Sequence, residues 1–64
     1  MKLREAAALA VKNHDAKMAG QVSLTCRLRC GMNYQQTYEW VNRIEPIDAR
    51  DWEWLLYESE DADA

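Results

Sequence analysis

Two glycines, one proline, one histidine, two cysteines and no phenylalanine are what this 64-residue chain offers, and each scarcity removes a class of function. Two glycines cannot build a phosphate-cradling loop. A single histidine, His14, has no nucleophile beside it, and its neighbour Asp15 would face another way on a helix, so acid–base and nucleophilic catalysis are not expected. Acidic pairs such as Glu58 and Glu60 lie in a charged tail with no apolar pocket to raise a pKa. Cys26, Cys30 and His14 could supply three metal ligands, but a fourth is missing, so no metal or other cofactor is expected. The longest apolar run, residues 6–11, is far too short to cross a bilayer. An acid follows the opening Met-Lys-Leu-Arg where a secretory apolar stretch would begin, which predicts no signal peptide, a cytoplasmic location and reduced thiols. The expectation is a single domain over residues 1–64 that is not an enzyme.

What is present is charge and aromatic side chains, both unevenly placed. Residues 1–30 carry six basic and two acidic side chains, whereas residues 31–64 carry two basic and nine acidic ones, for a net charge of −3. An acidic half repels phosphate and attracts basic surfaces. All six aromatic residues, Tyr34, Tyr38, Trp40, Trp52, Trp54 and Tyr57, fall in the second half.

Residues 2–19 are alanine-rich, free of Gly and Pro, and align Leu3, Ala7, Ala10, Val11, His14 and Met18 at helical spacing. Gly20 then stands where a C-cap is wanted. In residues 22–30 apolar and polar side chains alternate without a break, which predicts a half-buried strand with Leu24 and Leu28 in the core and Arg27 and Arg29 in solvent. On such a strand Cys26 and Cys30 lie about 13 Å apart, too far for a disulfide. Gly31-Met32-Asn33 reads as a turn, and residues 34–44 as a second strand rich in Tyr, Thr, Trp, Val and Ile. Glu45-Pro46-Ile47-Asp48 is a break. Beyond it Trp52, Trp54 and Leu56 alternate as a third strand would, although Asp48 also makes an N-cap and Ile47 and Trp52 occupy the positions of a hydrophobic staple. Residues 58–64 read as an acidic, frayed tail. The expected fold is therefore α+β, one helix packed on a three-stranded antiparallel β-meander.

So small a domain cannot enclose six aromatics. Trp40 and Trp52 are assigned to the core, and the remainder to a partner-binding face made of Trp54, Tyr57, Tyr38, Glu39, Glu53 and Glu58. The expected function is that of a small acidic interaction protein that binds a basic, nucleic-acid-binding surface of a host protein complex, as inhibitors encoded by phages and mobile elements do. That is an analogy of size and charge. Direct binding of nucleic acid by the chain itself and contact with a membrane are not expected; a homodimer is left open.

A second arrangement is all-α. Taken as helix, glycine turn and helix, residues 23–40 resemble the helix-turn-helix segment of Cro-like phage regulators. Cys26, Cys30, Gly31, Met32 and Trp40 stand where that motif wants small apolar residues, a turn glycine and buried anchors. The resemblance implies duplex-DNA binding through a recognition helix over residues 34–41. It departs at Arg27, where a small residue is usual, and at Thr37, where an aliphatic one is; the recognition helix would carry Glu39 and no base.

Overall fold

The computed structural model describes residues 1–62, and these form four helices with no strand among them. The β-meander expected from the alternation of residues 22–30 is thus replaced by the all-α arrangement. The helices are α1 (Leu3–Lys12), α2 (Ala16–Cys30), α3 (Tyr34–Ile44) and α4 (Ala49–Ala62). None is long and apolar enough to cross a membrane.

The single helix expected over residues 2–19 is two helices, because three residues break it. His14 takes a left-handed backbone (φ 52°), Asp15 N–H donates to the Ala10 carbonyl at 2.9 Å and His14 N–H to that of Val11 at 3.3 Å. This is the Schellman closure that glycine usually serves. Asp15 then opens α2, its Oδ1 accepting the Met18 N–H at 3.1 Å. Gly20 consequently lies inside α2 and is no cap.

Along α2 the buried residues are Ala19, Val22 and Cys26, a spacing of three and four. Leu24 and Leu28 point the other way and are 49% and 74% exposed, so both are corrected from core to surface. Arg27 and Arg29 are exposed, as expected. Residues 34–44, expected as a strand, bury Thr37 and Val41 one helical turn apart. Trp40, assigned to the core, is only half-buried against it.

The Pro46 segment is pinned to α3: Ile47 N–H donates to Asn42 Oδ1 and Tyr38 Oη–H to the Ile47 carbonyl, both at 2.9 Å. Asp48 then caps α4, accepting the Arg50 N–H at 2.8 Å. Here the helical alternative replaces the third strand, and Trp52 and Leu55 are fully buried. Residues 58–62, expected to fray, continue α4; the last two residues of that expected tail lie outside the described ones.

The core consists of Ala7, Ala10, Ala19, Val22, Cys26, Val41, Trp52 and Leu55. Its small side chains permit close helix approach but bury little area each. Helices α2 and α4 come close at Gly20, where an added Cβ would overlap Ser59 Oγ and sit 2.8 Å from Ser59 Cβ. Gly20→Ala gains about 1 kcal/mol of helix propensity but is expected to lose about 1–3 kcal/mol to overpacking. Thermal unfolding should therefore show a lower midpoint. In a Ser59→Gly background the same replacement should raise it, and an unchanged sign there would contradict the close approach.

Candidate functional site

Two surfaces collect the side chains that packing leaves unused. The first is the junction of α2 and α3. Gly31 adopts the left-handed region (φ 63°, ψ 24°), and its N–H wraps back to the Cys26 carbonyl. Asn33 then opens α3 in a reciprocal capping box, its Oδ1 accepting the Gln36 N–H at 2.8 Å while Gln36 Oε1 accepts the Asn33 N–H at 2.9 Å. The result is two helices joined by three residues, the length at which helix-turn-helix units are connected. Cys26 is buried, and Met32 and Trp40 pack partly against the core. Burial pushes the Cys26 thiol above its ordinary pKa, with Cys30 adding to the shift. Thr37 is buried, its hydroxyl donating to the Asn33 carbonyl at 3.0 Å, so its burial leaves no polar atom unpaired. Cys30 and Arg27 are exposed.

On α3 the outward side chains are Gln35, Gln36, Glu39, Asn42 and Arg43. Gln35, Glu39 and Asn42 form one stripe at helical spacing. Gln35 Nε2 donates to Glu39 Oε1 at 3.2 Å, which orients the amide. Gln36, by contrast, is engaged in its cap.

The second surface is a groove between α2 and α4. Trp54 and Tyr57 are 60% and 59% exposed and meet edge to face, with centroids 5.9 Å apart and an interplanar angle of 80°. With Arg50 and Glu53 they line one cleft. A neighbouring groove shares Glu53 and Tyr57 and adds Leu24 and Arg27 from α2 and Tyr34 from α3. Tyr34 is 48% exposed, and its phenol is pushed above the ordinary value first by partial burial and then by the charges of Glu53 and Tyr38.

No protein-family model matches the chain, and no curated protein or solved structure matches it either. The surfaces must be judged on their own chemistry.

Of the six residues assigned to partner binding, the structure gathers Trp54, Tyr57 and Glu53. Glu58 is exposed on the same helix. Tyr38 and Glu39 lie on α3 and serve other ends, Tyr38 as a strut to Ile47 and Glu39 as the acceptor for Gln35. Sequence reading missed Arg50, Leu24, Arg27 and Tyr34. Arg50 was within reach, since residues 50, 53, 54 and 57 follow helical spacing. The α2 and α3 members become neighbours of α4 only through tertiary packing. Among the described residues, no group of three or more His, Cys, Asp or Glu side chains is assembled to hold a metal ion.

Proposed function

We propose that this chain is a small, non-enzymatic, cytoplasmic DNA-binding regulator that lays α3 in the major groove of duplex DNA. The observation that carries this reading is the three-residue junction of α2 and α3, closed by a left-handed Gly31 and opened by the Asn33 cap. It is supported by the outward α3 pair Gln35 and Glu39, which the core does not use. The Gln35 amide matches the donor–acceptor pair on adenine, and Glu39 can accept from cytosine. Arg29, in the last turn of α2 beside the Gly31 turn, and Arg43, in the last turn of α3, are exposed and suit phosphate.

A net charge of −3 limits how many phosphates the chain can neutralise, so recognition must rest on base contacts more than on counterion release. Selection from a random duplex pool, followed by titration across salt concentrations, tests the proposal. The expected outcome is an enriched short motif whose binding falls with salt at a log–log slope of about −2 per protomer. A pool that emerges unenriched, or binding abolished equally by single-stranded competitor, would overturn it.

The exposed Trp54–Tyr57 pair supports a second reading, a protein-docking surface with Glu53 and Glu58 on its rim. A basic host protein, held in the manner of an inhibitor, is the partner class the acidic second half of the chain suggests. The first reading turns on the outward face of α3, the second on Trp54 and Tyr57 of α4.

A further inference from the structure

The rim charges of the α2–α4 groove are sorted by wall. Lys17 and Arg27 stand on the α2 side, Glu53 and Glu60 on the α4 side. The one ion pair among the described residues is Lys12 with Glu45, at 3.9 Å and away from the groove, so none of these four charges is matched by another described side chain. The floor between them is apolar, with Leu24, Leu56 and Tyr57, and Tyr34 closes one end beside Glu53. At the other end Gly20 meets Ser59, which places Lys17 and Glu60 near each other along the groove.

We propose that this groove binds a second copy of the same chain through a twofold axis running along it. The inference rests on the reading of this face as a docking surface, and it names the occupant. Rotation about that axis exchanges the walls while preserving height along the groove. Each α2 wall then faces the α4 wall of the other copy, Arg27 opposite Glu53 and Lys17 opposite Glu60. A twofold axis across the groove would instead stack basic wall on basic wall and acidic on acidic. Only the first arrangement is self-complementary, as an isologous interface requires. From Lys17 to Arg27 the α2 wall runs about 15 Å. Covering it would bury Leu24, Tyr34 and Tyr57, side chains larger than most of those in the core. Small domains with thin cores commonly gain stability in this way. A foreign basic protein would complement only the α4 wall and would meet Lys17 and Arg27 with like charge.

The test uses the full chain in sedimentation and light-scattering dilution series without DNA, with circular dichroism to verify folding. The wild type is expected to be a dimer that dissociates on dilution. Two charge-reversed forms, Lys17→Glu with Arg27→Glu and Glu53→Lys with Glu60→Lys, are each expected to dimerise on the order of a hundredfold more weakly. Mixed in equal amounts they should restore a dimer containing one of each, since every wall again faces its opposite. Leu24→Glu, on the groove floor and outside the core, should be folded and monomeric. A wild type that is monomeric at about 1 mM, or reversed forms that dimerise alone as well as mixed, would overturn the proposal. If that monomer nevertheless captures a basic protein in a manner abolished by Trp54→Ala, the docking surface stands and the second copy does not; if it captures nothing, both fall.

Discussion

Trp52→Ala is expected to abolish cooperative folding. Trp52 is fully buried and is the largest side chain in a core otherwise built from three alanines, two valines, a cysteine and a leucine. Removing so large a buried side chain costs about 3–5 kcal/mol, and a core of this size rarely supplies more than about that in total. Urea titration followed by far-ultraviolet circular dichroism should show a shallow, non-cooperative loss of helix. Trp52→Phe should behave differently. The indole Nε1–H is buried without a hydrogen-bond partner among the described residues, a state that costs about 1–3 kcal/mol, and phenylalanine removes that donor while retaining an aromatic ring. A folded Phe variant beside an unfolded Ala variant is the expected pair of results. A sharp transition in Trp52→Ala with an unshifted midpoint would place this residue outside the core.

The second large effect belongs to α3. Gln35 is outward and held by Glu39, so Gln35→Ala should cost about 1–3 kcal/mol of sequence-specific DNA binding, roughly 5- to 150-fold, and relax the preference at one base pair. Gln36→Ala is the matched control one residue away. Its side chain accepts the Asn33 N–H, so its loss should lower the melting temperature and leave base preference intact. Competition binding against single-base variants of the selected site reads both. Retention of every base preference in Gln35→Ala would remove α3 from the DNA.

These expectations depend on a fold that the chain announces only in part. The last helix was legible in the Asp48 cap and in the spacing of Ile47 and Trp52. Residues 22–30 were not, and the reason is physical. Helical spacing of Val22 and Cys26 already describes the buried face of α2, but Leu24 and Leu28 interleave with them on the solvent side, and the mixture alternates as a strand would. An apolar residue on an exposed helix face looks like an error in helical periodicity until something is found to cover it. Leu24 is such a residue, and it lies on the floor of the proposed dimer groove. The break at residues 13–15 was hidden differently, because His14 serves at a left-handed position where glycine would have signalled the end of a helix. The docking residues Trp54, Tyr57 and Glu53 could be chosen for exposure and charge, while Tyr34 and Arg27 could not, since they reach α4 only once α2 has packed along it.

That packing also sets the order in which the molecule can assemble. The helices α1, α2 and α3 are joined by short turns and meet early, but α2 finds its principal neighbour in α4, the most distant helix along the described chain. Until α4 has been synthesised, Val22 and Cys26 have no Trp52 or Leu55 to cover them. A growing chain therefore presents α2 and α3 before they have a complete floor beneath them. Closing the long loop from α2 to α4 becomes the slow step, and mutations in α4 that weaken docking should lower the folding rate more than those in α1.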